Sequence, residues 1–308
     1  MDVAINYHSI DELDSFNRNV DQIQFNKVNL SIIKIQEKIF KNAVNSLFGQ
    51  FGELKVSRLY FGSEFCEWLV PTIDLFDSLY NFIIKNDIKL TLLTPLVTDK
   101  GISIFKNLLN HIYKNNLPIE IVINDCGMLN LINREFPNIK MIAGRLLHKM
   151  INDPRIKKNL EAIKKQFGNE IELMVYLQNS AFSLSDYQDF LLSKNITQAE
   201  LDLVFQGISI PNNNKLSYSL HLPYTYITSG RHCFFSALNK PFEKKFELNN
   251  QCEFECKKYI VENKLEGIND RIYQRGKVIV NSFYSEVPLS SLPWNVISRI
   301  ILSPFVPY

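Results

Sequence analysis

The stretch Leu54-Lys-Val-Ser-Arg-Leu-Tyr-Phe61 opens the part of the chain that decides the fold. It is rich in β-forming residues and ends at Gly62, which predicts a strand over residues 54–61. Residues 72–85 then place apolar side chains on one side of a helix, and residues 89–94 are again rich in β-forming residues. A strand, a helix and a second strand in this order form the unit from which parallel sheets are built.

The same alternation recurs along most of the chain. Eight stretches are predicted as strands: residues 3–7, 54–61, 89–94, 119–123, 139–142, 171–176, 201–205 and 218–222. Eight parallel strands with helices between them predict an α/β fold, a TIM-barrel-like (β/α)8 domain with its functional groups at the carboxyl ends of the strands. We assign residues 1–256 to this barrel and residues 257–308 to a small C-terminal appendage packed on it.

The composition is that of an ordinary folded protein. Hydrophobic residues make up 46% of the 308 residues and charged residues 21%, which is enough for a sizeable core. The net charge of +2 is too small to indicate nucleic acid or an anionic membrane as an obligate partner. No secretory signal and no membrane-spanning apolar stretch is visible, so we expect a cytoplasmic protein. Thiols stay reduced in that compartment, which favours metal binding over disulfides for grouped cysteines.

Polar residues follow several of the predicted strands, where a barrel places its active site. The candidate catalytic or substrate-binding residues are Asn124, Asp125, Arg145, His221, Tyr224 and Arg231. Arg145 and Arg231 would suit a carboxylate or phosphate, because a guanidinium offers two parallel hydrogen bonds. The sequence Asn-Asp-x-Gly at residues 124–127 is also typical of a simple turn, since Asn and Asp bond back to their own backbone.

Three of the five cysteines lie close together in sequence. Cys252 and Cys256 are separated by three residues, and Cys233 precedes Cys252 by eighteen intervening residues. Cys252 and Cys256 stand among Gln, Glu and Lys, where a free thiol would be a liability. Cys126 has no cysteine nearby and is interpreted as a small buried hydrophobe.

A fourth ligand for this group is expected from Cys66, because the loop after an early strand meets the loop after the last strand once a barrel closes. Four thiolates suit either a [4Fe–4S] cluster or a structural zinc ion. His232 beside Cys233 keeps a zinc site with three cysteines and one histidine open.

Five motifs resemble peptidase family U thirty-two, the collagenase-like group. They are Tyr60-Phe-Gly-Ser-Glu-Phe-Cys66, Asn124-Asp-Cys-Gly127, Gly144-Arg-Leu-Leu147, Tyr226-Ile-Thr-Ser-Gly-Arg-His-Cys233 and Cys252-x₃-Cys256. The resemblance covers roughly residues 56–256 and is greatest to the UbiV-type iron–sulfur proteins of oxygen-independent ubiquinone biosynthesis. The chain departs from the pattern at Cys126, where relatives often carry a large side chain.

The resemblance implies a barrel that carries a [4Fe–4S] cluster on Cys66, Cys233, Cys252 and Cys256. It also implies a role in oxygen-independent hydroxylation, with a small-molecule or RNA substrate and a related protein subunit as partner in a heteromer. Two other functions are considered. A peptidase would need a nucleophile with a positioned base or an open metal site, and no such motif is visible. A non-catalytic partner protein could carry a zinc ion or a cluster in a purely structural role.

Overall fold

The structure is a computed structural model that describes residues 1–238, 240–246, 252–264, 271–282, 289 and 292–308. Its strands are β1 (Asp2–Tyr7), β2 (Arg58–Gly62), β3 (Lys89–Leu93), β4 (Glu120–Ile123), β5 (Lys140–Ala143), β6 (Gln198–Asp202), β7 (Ser217–Leu222), β8 (Tyr224–Ser229), β9 (Val261–Asn263), β10 (Arg271–Arg275), β11 (Val278–Ser282) and β12 (Ile297–Leu302). Its α-helices are α1 (Ile33–Phe51), α2 (Ile73–Lys85), α3 (Asp99–Lys114), α4 (Cys126–Glu135), α5 (Arg155–Phe167), α6 (Glu170–Gln178), α7 (Ser185–Ser193) and α8 (Phe234–Ala237).

Eight parallel strands form a closed barrel in the order β1-β2-β3-β4-β5-β6-β7-β12, and β12 pairs with β1 to complete the circle. Helices lie between successive strands over most of the circle, and the largest apolar core joins these helices to the barrel. The prediction of a TIM-barrel-like (β/α)8 fold is therefore confirmed.

Two details of the predicted barrel are wrong. Residues 171–176, predicted as a strand, belong to helix α6. This stretch is apolar without strict alternation, so its pattern fits a short buried strand and a helix equally well. The side chain of Asn169 accepts a hydrogen bond from the amide of Glu172 and thereby caps the helix.

The eighth barrel strand is β12, which lies in the stretch predicted as an appendage. It pairs in parallel with β7 on one side and β1 on the other. The barrel thus continues past residue 256, and the segment between β7 and β12 is an insertion. A closed barrel leaves no unpaired edge, which is the physical reason why a distant strand is needed here.

The insertion contributes an antiparallel sheet in the order β8-β11-β10-β9. This sheet has its own apolar core around Tyr224, Tyr273 and Val280, and that core includes Phe65 and Leu146 from the segments after β2 and β5. The sheet therefore packs over the carboxyl end of the barrel. Among the described residues, no helix is both long and apolar enough to cross a membrane.

The barrel interior is layered. A small apolar cluster, with Tyr60 and Ile301 among its members, is contributed by six barrel strands. Toward the amino ends of the strands, Arg299 donates to Glu120 at 3.0 Å and to Asp2 at 2.8 Å, and Arg58 pairs with Glu120 at 3.0 Å. Toward the carboxyl ends lies a second buried polar layer, which is described below.

Candidate functional site

Cys66, Cys233, Cys252 and Cys256 line one cavity between the barrel and the inserted sheet. Cys66 follows β2, where the Ser63 hydroxyl accepts hydrogen bonds from the amides of Phe65 and Cys66 and turns the chain toward the insertion. The other three cysteines lie between β8 and β9. The structure thus brings together the four cysteines that the sequence singled out as candidate ligands. Cys126 is exposed at the first residue of α4 and does not line the cavity, so its interpretation as a small buried hydrophobe is wrong.

Three of the four thiols in this cavity, those of Cys66, Cys252 and Cys256, are poorly placed to ionise without a nearby cation. Cys66 and Cys256 are buried, and Cys233 and Cys252 are half-buried. Burial raises the pKa of the Cys66 thiol to about 11 and that of Cys256 to about 12, and the pKa of Cys252 is raised for the same reason. Negative charge on the neighbouring sulfurs adds to each of these shifts. Metal ions bind thiolates, so a bound cationic group would offset this cost.

The spacing of the sulfurs is informative. Among the described residues, which include all five cysteines, the one group of three His, Cys, Asp or Glu donors lying within 4.8 Å of one another is Glu64, Glu200 and His221. No three cysteine sulfurs are that close. A tetrahedral zinc ion with bonds of about 2.3 Å holds its sulfurs about 3.8 Å apart. The four sulfurs are therefore not arranged as a preformed zinc site, and the free space in the cavity that they line is about 20 Å³.

The backbone of Cys256 is held by Arg275, the last residue of β10. The Arg275 Nε donates to the Cys256 carbonyl at 2.8 Å, and its guanidinium lies 3.9 Å over the Tyr308 ring and 3.3 Å from Glu12. Gly276 follows in a left-handed turn with φ +62°, and a Cβ there would lie 3.4 Å from the Cβ of Cys256. The β10–β11 turn thus forms one wall of the cavity.

Arg145 is fully buried and bonded within the protein. Its guanidinium donates to both carboxylate oxygens of Glu64 and, at 3.0 Å, to Asp202, and it also reaches the carbonyl of Tyr224. The sequence predicted that Arg145 would bind a substrate carboxylate or phosphate. The structure instead assigns it to internal carboxylates.

Asn124 and Asp125 have structural partners. Asn124 donates to the carbonyl of Thr94 at 2.8 Å and accepts from the amide of Leu146 at 3.2 Å, which ties together the ends of three strands. Asp125 caps α4 by accepting from the amide of Met128 at 2.7 Å. The turn interpretation of this motif accounts for both residues, so neither has to act in catalysis.

His221 and Tyr224 are both buried. The Nε2 of His221 lies 3.0 Å from Glu200, and burial, with Arg145 nearby, lowers the pKa of this imidazole to about 4. Burial raises the pKa of Glu200 to about 7. Tyr224 packs against Tyr273 in the core of the inserted sheet, where burial raises the pKa of its hydroxyl well above the ordinary value. Tyr224 is thus buried and does not line the cysteine cavity.

Arg231 lies on the exposed rim. It lines both the cysteine cavity and an adjacent cleft of about 430 Å³, together with Lys277. Phe65 forms part of the apolar wall of this cleft. Of the six residues predicted to contact a substrate, Arg231 is the one that lines it.

Sequence reasoning missed Glu200 and Asp202, which lie two residues apart on β6 and point with Gln198 to the barrel interior. Polar and apolar residues alternate over Gln198–Asp202, and this alternation could have predicted a strand with its polar residues on one face. The predicted strand at residues 201–205 began three residues too late to include it. Arg275 and Glu12 were also missed, because only the fold brings them together.

The chain was compared with protein-family models, with curated proteins and with solved structures. None of them matches. The function is therefore argued from the geometry of the site.

Proposed function

We propose that the chain is a [4Fe–4S] cluster-binding protein acting in oxygen-independent hydroxylation or a related biosynthetic modification. Cys66, Cys233, Cys252 and Cys256 would hold the cluster. The observation that carries the proposal is the convergence of these four cysteines, from two distant segments, on one cavity. Four thiolates are the usual ligand set of such a cluster.

The surroundings of the cavity fit this group. The amide of Phe254 donates to the Cys252 sulfur at 3.3 Å, and Arg275 places a buried positive charge near Cys256. Hydrogen bonds to sulfur and local charge are the means by which proteins set the potential of a cluster. When bound, the cluster would supply one-electron redox chemistry.

The cleft beside the cavity is the proposed substrate site. Its volume of about 430 Å³ is typical of small-molecule sites. Arg231 and Lys277 would attract an anionic group, and Phe65 would contact an apolar or aromatic part of the same molecule. The same side chains could bind an exposed nucleotide of an RNA, with the cations at its phosphate and the aromatic ring at its base.

Anaerobic purification of the full chain tests the cluster. We expect a brown protein with about four iron and four sulfide ions per chain. Serine substitution of any one of Cys66, Cys233, Cys252 and Cys256 should lower the iron content, and Cys126→Ser serves as the matched control that keeps it. A colourless protein with one zinc ion per chain would support the zinc alternative. Loss of colour in Cys126→Ser alone would show that the ligand assignment is wrong.

The hydroxylation role needs a separate test. Cells grown without oxygen, with and without the chain, should differ in a quinone precursor or RNA nucleoside that lacks one oxygen atom. Wild-type protein and Cys126→Ser should restore the product, and Cys252→Ser should not. If no such product differs but the cluster is present, co-purification with a second subunit would favour the electron-transfer or structural partner role.

The peptidase alternative receives no support from the side chains. Among the residues that the structure describes, no histidine side chain hydrogen-bonds a serine, threonine or cysteine side chain. His111 pairs with Asp77, and His221 pairs with Glu200. A serine, threonine or cysteine nucleophile paired with a histidine base is thus missing from this part of the chain.

A further inference from the structure

Glu64, Glu200 and His221 meet inside the carboxyl end of the barrel. Glu64 follows β2, Glu200 lies on β6 and His221 lies on β7. Each side chain is at most 1% exposed, and one donor atom of each lies within 4.8 Å of the donors of the other two. None of the three lines the cysteine cavity. They therefore form a separate group of potential metal ligands.

Two atoms of this group have no hydrogen-bond partner in the described structure. They are Oε1 of Glu200 and Nδ1 of His221, both buried, although the Tyr60 hydroxyl lies close enough to the Glu200 carboxylate to lower its pKa. A buried polar atom without a partner costs about 1–3 kcal/mol, so such atoms commonly mark the position of an ion or water molecule. Both atoms belong to side chains that are good ligands for metal ions.

The distances suit a metal ion. Nε2 of His221 and Oε2 of Glu200, the remaining donor atoms of the same two side chains, are 3.0 Å apart. Adjacent ligands of an ion with bonds of about 2.1 Å lie about 3.0 Å apart in octahedral geometry and about 3.4 Å apart in tetrahedral geometry. The same separation fits a shared proton, so a metal ion and a proton would compete for this position.

The charges of the polar layer also favour a cation. Three buried carboxylates, from Glu64, Glu200 and Asp202, are close to the guanidinium of Arg145. Arg145 donates to Glu64 and Asp202 but not to Glu200. The next guanidinium, that of Arg299, donates to Tyr60 and to Glu120. Glu200 thus accepts no hydrogen bond from either guanidinium, although both lie close enough to lower its pKa, and a buried carboxylate without a directly bonded cation is costly.

We propose that Glu64, Glu200 and His221 bind a divalent first-row transition metal ion, such as Mn²⁺, Fe²⁺ or Zn²⁺. One imidazole nitrogen with two carboxylate oxygens favours these ions over Mg²⁺ or Ca²⁺, which take oxygen ligands alone. Arg145, which donates to both oxygens of Glu64, would hold that carboxylate in place. The site is distinct from the cysteine cavity and does not depend on the cluster.

Manganese titration of the full chain, treated first with a chelator, tests the site. Mn²⁺ is the probe because thiolates prefer softer ions. We expect one Mn²⁺ per chain by electron paramagnetic resonance and a higher Tm in its presence. Glu200→Gln and His221→Gln should each weaken binding by at least about tenfold, since each removes a direct ligand. Asp202→Asn is the matched control, because it removes a charge from the same layer without removing a ligand, and it should still bind the ion.

Three outcomes would overturn the proposal: no Mn²⁺ binding by the folded wild type, unchanged binding in Glu200→Gln and His221→Gln, or binding lost in Cys252→Ser alone. The last outcome would place the ion among the cysteines. Retained Mn²⁺ binding in Cys252→Ser supports the barrel site whether or not the cluster is present. If a glutamine variant does not fold by circular dichroism, Glu200→Asp replaces it, and its shorter side chain should weaken binding without removing the charge.

Discussion

The carboxyl of Glu200 and the imidazole of His221 respond to burial in opposite directions. The pKa of Glu200 rises from 4.5 to about 7, so the folded state holds a proton that the unfolded state has lost, and stability falls as pH rises through that range. The pKa of His221 falls from 6.5 to about 4, so the unfolded state binds the extra proton and stability falls as pH drops through that range. In the wild type the two effects oppose each other.

In the metal-free protein, replacing one of these two side chains should reveal the pH dependence of stability that the other contributes. Relative to the wild type, Glu200→Gln should gain roughly 1–3 kcal/mol of stability between pH 4.5 and 7, because the opposing carboxyl is gone. His221→Gln should lose the rise that the imidazole contributes between pH 4 and 6.5. Urea unfolding across this pH range measures both differences. Parallel stability curves for the three proteins would contradict the assigned pKa directions.

Gly144 leaves no room for a side chain. A Cβ there would lie 2.8 Å from a methyl group of Val122 and closer still to the amide of Asn124. Gly144→Ala should therefore destabilise the protein by roughly 1–3 kcal/mol, as overpacking does in other cores. Gly49→Ala is the control, since nothing lies within 4 Å of that position in α1 and alanine favours a helix. Urea unfolding should show a lower unfolding free energy for Gly144→Ala and a higher one for Gly49→Ala. Equal changes in the two variants would contradict the assigned packing.

At the scale of elements, sequence patterns succeeded for amphipathic helices and for short β-rich runs, and failed for a longer apolar run. The α2 and α3 helices were located by the helical period of their buried residues, and the first five strands by short runs of β-forming residues that are buried on both faces. Residues 171–176 carry apolar side chains on all sides of α6. No local pattern separates that arrangement from a strand.

The burial of α6 gives a direct test of its conformation. Leu173 and Leu177, four residues apart, are buried, whereas Ile171 is 77% exposed and Val175 is 51% exposed. In a strand, residues 171, 173 and 175 would share one face. Leu173→Ala should cost roughly 2–4 kcal/mol in thermal or urea unfolding. Ile171→Ala should change stability little, and an equal cost for the two would favour the strand.

At the scale of the whole molecule, the sequence predicted the barrel but not the strand that closes it. The Ile297–Leu302 strand is separated from β7 by an insertion with its own antiparallel sheet. Backbone pairing between residues far apart in sequence, such as Asp2 with Arg299 and His221 with Ile301, shows that this strand belongs to the barrel. Such long-range pairing leaves no trace in local periodicity. The convergence of the cysteines was predictable, since each lies at a strand end or in a charged loop, whereas the Glu12–Arg275 pair was not.

Truncation before residue 297 should therefore prevent cooperative folding, because it leaves β1 and β7 with unpaired edges. Circular dichroism during heating is the measurement. Two point substitutions test the same strand more mildly. Ile300→Ala should lower the free energy of unfolding by roughly 2–4 kcal/mol, and Ser298→Ala, at an exposed position, should change it little. A truncated chain that keeps a sharp thermal transition would show that β12 is a dispensable appendage.

The place of β12 in the chain also sets an order of events during synthesis. All four cavity cysteines leave the ribosome before β12 does, so the thiols are available before the barrel can close. Pairing of β1 with β12 joins segments that are nearly 300 residues apart, and the entropy of closing so long a loop delays this contact until many others have formed. If the proposed cluster is bound, it could thus load on a nascent, still open barrel, and the closing strand would then lock the loaded insertion in place.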